Sequence, residues 1–248
     1  MNRESRTSKL GFFNSFSGHS PRILIELVVI VASILFALAI DEWRANSENK
    51  EAELGYLQQL IIDVRSTEES ITSVLESNAS SDATALRLMA IFEAGRSVEP
   101  AEIRRLLREV YYYTNPTPVL GTADALVATG DLRLIRDSRI KAEITRYLSR
   151  TRDFWLVPIY DLESDYRAHY ARLTKVAAAY GVSPTRPIVD GQVHQSPDVG
   201  AFLADTEAYA EVLRLLFNKG EFKGYRTGLA ADAATIREIL EEYVNSNQ

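Results

Sequence analysis

The sequence predicts an all-α protein: a single N-terminal transmembrane helix continuing into an elongated helical bundle outside the membrane. Three observations predict it. Residues 23–40 form an eighteen-residue apolar run, ILIELVVIVASILFALAI, with Glu26 as its one charge. Beyond that run, apolar residues recur at alternating three- and four-residue spacing, the period of helices packed on helices. No segment of convincing length alternates with the two-residue period of a strand.

The elements follow in order. Residues 1–21, rich in Ser, Asn and Gly, read as a short cytoplasmic tail. At about 1.5 Å per residue, the apolar run covers about 27 Å, the thickness of a hydrocarbon core. Arg3, Arg6, Lys9 and Arg22 precede it, whereas Asp41 and Glu42 follow it. Positive charge resists translocation, so the expected topology keeps the N-terminus in the cytoplasm. Residues 22–43 are the expected membrane helix, with Trp43 at the interface, and residues 44–248 the exported domain, in the periplasm of a bacterial inner membrane. A cleaved signal peptide is the rival reading, because Ala37-Leu38-Ala39 has the small-x-small pattern of a cleavage site. Against it, no Gly, Pro or polar stretch separates the apolar run from that site.

After the run, Ile40, Trp43, Leu54, Leu57, Ile61, Val64, Ile71 and Leu75 share one seam, predicting a rod of about 55 residues that ends near Asn78. The cluster Asn78-Ala79-Ser80-Ser81-Asp82 then reads as a helix cap, followed by a second helix over 83–94 with Leu86, Met89, Ala90 and Phe92 inward. A third helix starts near Pro100 and runs into Tyr111-Tyr112-Tyr113, stopped by Asn115-Pro116-Thr117-Pro118. A short helix over 123–129 closes at Gly130, and Asp137 or Ser138 caps a second rod, with Pro158 expected to kink or break it. The proline-bearing segment 181–200 is the longest expected loop. Two closing helices, 201–218 and 221–245, complete the expected bundle.

Composition narrows the function classes. The chain carries −6 overall, and residues 1–40 carry four basic and two acidic side chains, so residues 41–248 carry −8. Such a surface argues against nucleic acid as a partner. The absence of cysteine removes disulfides, thiolate metal sites and thiol catalysis. No P-loop, dinucleotide fingerprint, zincin motif or nucleophile elbow is present.

Two segments carry a resemblance. Residues 26–43, a Glu-led apolar helix ending in Asp41-Glu42-Trp43, with the charged stretch 53–63 (ELGYLQQLIID), resemble the opening of a family of uncharacterised bacterial single-pass inner-membrane proteins. Residues 125–137, with Gly130-Asp131-Leu132-Arg133-Leu134-Ile135, are similar to that family's Gly-x-Leu-x-x-Ile feature. The match covers about a third of the chain and implies an inner-membrane protein with a helical exported domain; no activity comes with it. Where the family carries amides before the tryptophan, this chain has Asp41-Glu42.

Candidate sites are few. Glu26 lies inside the apolar run, where an ionisable group is costly and often functional, but it is also one turn from Arg22 and near the headgroup zone. Asp161, Asp165 and His169 occupy successive helical turns and could in principle share a metal, though no second ligand pair accompanies them. His194 stands in the long loop without a located nucleophile. Tyr111, Tyr112 and Tyr113 with Trp155 could line a pocket or fill a core. No cofactor is expected. The reading favoured by the sequence is a non-enzymatic accessory or scaffold protein whose partners are the bilayer and other membrane or periplasmic proteins, another copy of itself included. A respiratory or photosynthetic assembly is an example of such a complex. The alternative is a ligand-binding sensor acting through a partner protein; a metal-dependent or hydrolytic enzyme is the third.

Overall fold

A computed structural model describes residues 20–95, 98–184 and 196–247, with only the backbone of residues 20–24 and Phe154. The fold is all-α, with no strand among the described residues. Helix α1 spans Ser20–Ala94, α2 Pro100–Val110 and α3 Gly121–Thr129. Helix α4 spans Ser138–Ser149, α5 Val157–Ala179, α6 Val199–Ala204 and α7 Thr206–Asn247. The chain divides into two units, residues 1–52 and 53–248.

In the first unit, the described residues 25–50 are helical and exposed, apolar side chains included. Among the described residues no helix is long and apolar enough to cross a membrane. Ile23 and Leu24 open the eighteen-residue run, and their side chains lie outside the described residues, which leaves the sixteen residues 25–40.

The second unit has two hydrophobic cores. One joins Leu88, Met89 and Phe92 of α1 to Ile103 and Leu107 of α2, Tyr166 and Leu173 of α5, and Phe202, Val212 and Phe222 beyond. The other joins Leu57, Leu60, Ile61 and Val64 of α1 to Ile140, Ile144 and Tyr147 of α4 and Ile236, Leu240 and Val244 of α7. Four positions of the predicted seam, Leu57, Ile61, Val64 and Ile71, are buried.

The expected break after Asn78 does not occur, because the cluster read as a cap bonds sideways. Asn78 Nδ2 donates to Thr114 O at 3.1 Å, and Asn78 Oδ1 accepts from Thr114 N at 3.0 Å. Ser81 Oγ donates to Glu109 O at 2.8 Å. With those side chains engaged elsewhere, α1 continues to Ala94 in the phase of its first part. Ala85 and Leu88 are therefore buried, while Leu86 and Ala90, expected inward, are exposed.

The second rod behaves more nearly as expected. Asp137 caps α4, accepting from Arg139 N and Ile140 N, and Gly130 ends α3 at φ 78°. Between Ser149 and Pro158 the helix widens into a π-helical stretch, Arg150–Leu156, in which Val157 N bonds to Arg152 O. Proline at 158 lacks the N–H that would bond residue 154, and its ring crowds that carbonyl, so a five-residue spacing just ahead absorbs the misfit. Asp232 of α7 holds the stretch, accepting from Arg150 Nε at 2.8 Å and Trp155 Nε1 at 2.7 Å. The indole lies against Gly228, where a Cβ would come within 2.2 Å of the ring.

The two closing helices are displaced from expectation. The break falls at Asp205, which accepts from Glu207 N and Ala208 N, and α7 then runs unbroken through Asn218-Lys219-Gly220. A single glycine costs a helix about 1 kcal/mol, less than the packing of both flanks returns. Tyr209, near the start of α7, is 37% exposed.

Candidate functional site

The irregular segment after α2, residues 111–120, is tied by backbone bonds only at its ends, Tyr112 N to Glu109 O and Asp124 N to Leu120 O, and between them it crosses α1 on side chains. Thr117 N donates to Ser70 Oγ at 3.1 Å, Val119 N to Thr67 Oγ1 at 2.9 Å, and Thr122 N, in α3, to Asp63 Oδ2 at 3.0 Å. With Asn78 and Ser81, these residues form a polar ladder on α1. Backbone groups outside regular hydrogen bonding need partners, so the rungs fix the 109–122 stretch against particular positions of α1.

Two cations of α7 close the other side. Lys219 is 4% exposed and donates to Ser81 Oγ at 2.8 Å, Asp82 Oδ1 at 3.3 Å and Tyr112 O at 3.3 Å. Arg226 is 2% exposed and donates to Thr114 O at 2.6 Å and Asn115 Oδ1 at 3.1 Å. Burial pushes both cations below their ordinary pKa values, and Asp82 offsets only part of this. Neither was singled out from the sequence, although a signal exists. The buried series Ala208, Val212, Leu215, Lys219, Phe222, Arg226, Leu229 and Ala233 alternates four and three without interruption. A cation at such a position is either paired in the core or marks the end of the stripe.

A second charged cluster lies on α5 and α7. Glu211, 2% exposed, accepts from Arg172 Nε at 3.1 Å and from Arg214 at 2.6 Å, and its Oε2 lies 2.6 Å from His169 Nδ1. Burial opposes ionisation of Glu211, but the bonds from His169 and Arg172 outweigh it and hold the carboxyl below its usual range. Beside it runs a groove lined by His169, Leu213, Arg214, Phe217 and Asn218.

The other sequence candidates are dispersed. Tyr111 packs on Tyr170, ring centroids 4.4 Å apart; Tyr112 is 49% exposed; and Tyr113 stacks on Phe222 at 5.5 Å. Trp155 meets Tyr225 edge-on at 6.0 Å. Tyr113 and Trp155 thus rest against α7 one turn apart, and neither lines the His169 groove. Asp161 and Asp165 are exposed, and the carboxylate beside His169 is Glu211, 42 residues away. No group of three or more His, Cys, Asp or Glu among the described residues is placed to hold a metal. Glu26 and Trp43 are exposed on α1. The side chain of Arg22 and the whole of His194 lie outside the described residues.

Comparison of the chain with protein-family models, with curated proteins and with solved structures returns no match in any of the three.

Proposed function

We propose that the chain is a membrane-anchored accessory protein without catalytic activity, whose helical domain docks on other membrane or exported proteins. One observation carries the reading. Leu27, Val28, Val29 and Ile30 are 57%, 59%, 57% and 57% exposed. Consecutive helical positions are about 100° apart, so four of them encircle the axis, and no face of that turn is covered by the described residues. An apolar surface of this kind requires lipid or a partner. The charge asymmetry around it favours lipid, with the N-terminus cytoplasmic and the domain beyond residue 43 on the far side. Glu26 is then a candidate for pairing with a basic residue of a neighbouring membrane helix.

The test is fractionation with alkaline carbonate, combined with reporter fusions after residue 60. The protein should stay with the membrane and report from the periplasmic side. Release by carbonate, or a cytoplasmic signal at residue 60, would remove the anchor from the proposal. Intact mass separates a retained helix from a cleaved signal, for which the chain would start at Ile40.

A further inference from the structure

The charged side chains beside the α5–α7 groove leave a small positive surplus on a chain that is acidic overall. Arg172, Arg214 and Glu211 sum to +1 with His169 neutral, and to +2 when it is protonated. His169 Nδ1 lies 2.6 Å from both Glu211 Oε2 and Arg172 Nη2. A protonated Nδ1 serves the carboxylate and opposes the guanidinium; an unprotonated one does the reverse. With Nδ1 protonated the cluster carries one donor more than its own acceptors take, and with it unprotonated Glu211 Oε2 faces a lone pair.

The groove beside it offers room for an added acceptor. Its volume is about 510 Å³, within the range of small-molecule sites. Arg214 lines it with a half-exposed side chain that is bonded to Glu211 through Nη1. One helical turn apart on the same wall, Leu213 is 47% and Phe217 67% exposed. Asn218, 7% exposed, lines the groove as well, and its amide nitrogen is buried without a hydrogen-bond partner. Such orphaned donors are rare in native interiors.

We propose that this groove binds a small amphiphilic oxyanion, with its head on Arg214 and His169 and its apolar body along Leu213 and Phe217. Carboxylate and phosphate heads share this chemistry. The site does not depend on the membrane anchor, so failure of one leaves the other standing.

The test uses the full chain in neutral detergent, titrated with 4-phenylbutyrate, with n-hexyl phosphate and with uncharged 4-phenylbutanol. At least one of the two anions should bind more tightly than the alcohol. Arg214→Gln, which also removes one bond to buried Glu211 and should lower the melting temperature slightly, should weaken that anion by about tenfold, the worth of one charge-assisted hydrogen bond. Phe217→Ser, at an exposed position, should weaken it too. A preference for the carboxylate points to a free acid, and a preference for the phosphate to a lipid-type head; either supports the site. Equal binding of anion and alcohol, no binding of any probe, or anion binding unaltered in Arg214→Gln would overturn it.

Discussion

Residues 25–40 and residues 53–94 belong to the same helix, yet they distribute apolar side chains in different ways. In the first stretch, large apolar groups stand exposed on every side. In the second, Leu57, Leu60, Val64, Ile71 and Leu88 form a buried stripe, flanked by side chains that bond to backbone elsewhere. On the membrane reading proposed above, the difference is one of solvent. A helix inside a folded domain shows its neighbours one face and water the other, so its composition must alternate. A helix surrounded by lipid meets the same environment in all directions and needs no alternation.

Substitutions can break or sharpen this contrast. The largest effect is expected from Val31→Arg combined with Leu35→Arg. Each charge costs about 3 kcal/mol at the centre of a membrane helix, so carbonate-resistant membrane association should be lost while the domain melts as before. Unchanged association would contradict lipid as the cover of residues 25–40. Next comes Leu60→Ala, at a 1% exposed position of the second stretch; truncation there should cost about 3 kcal/mol in denaturant unfolding. Asn78→Ala removes three donated bonds and the acceptor of Thr114 N, and about 2 kcal/mol should be lost because a half-buried N–H is left unmet. Hydrogen exchange should localise that loss to the strap, and a loss spread evenly over the domain would argue against the ladder.

Acid should have a smaller effect. Glu211 is held below its ordinary value of 4.5, so the stability contributed by its ionised form is complete above that pH and disappears as pH falls through the lower folded value. Glu211→Gln should therefore flatten the acid limb of a stability profile below about pH 4.5 and leave the slope near neutrality unaltered. The smallest effect completes the contrast. Leu35→Ala, the same chemical change as Leu60→Ala, should move domain stability by less than about 0.5 kcal/mol, because Leu35 is 61% exposed.

Signals carried by one or two residues were legible in the sequence. Gly130 as a stop and Asp137, one of the two residues offered as a cap, act on their immediate neighbours, so the reading and the structure coincide there; the break offered at Pro158 is replaced by a π-helical stretch that carries the helix through. Where a residue has two possible employments the reading failed. Asn78 and Ser81 are equally suited to capping a helix and to reaching across to another segment, and only the end of α2 and the strap after it decide between them. The junction Asn218-Lys219-Gly220 looked like an interruption for the same reason: the partners of Lys219 are Ser81, Asp82 and Tyr112, more than a hundred residues away. The His169–Glu211 pair also joins two helices, and no spacing within either one announces it.

The polar ladder has a consequence for alignment. Seams made only of leucine and isoleucine can slide by a heptad and find similar contacts, so their register is weakly defined. Asp63, Thr67, Ser70, Asn78 and Ser81 each match one particular amide or carbonyl of the 109–122 stretch. A slip of seven residues would put Leu60 or Val74 in the place of Thr67, Ile71 or Ala85 in that of Asn78, and Val74 or Leu88 in that of Ser81, so these three rungs act as the teeth of a key, admitting one longitudinal setting of residues 63–81 against the 109–122 stretch.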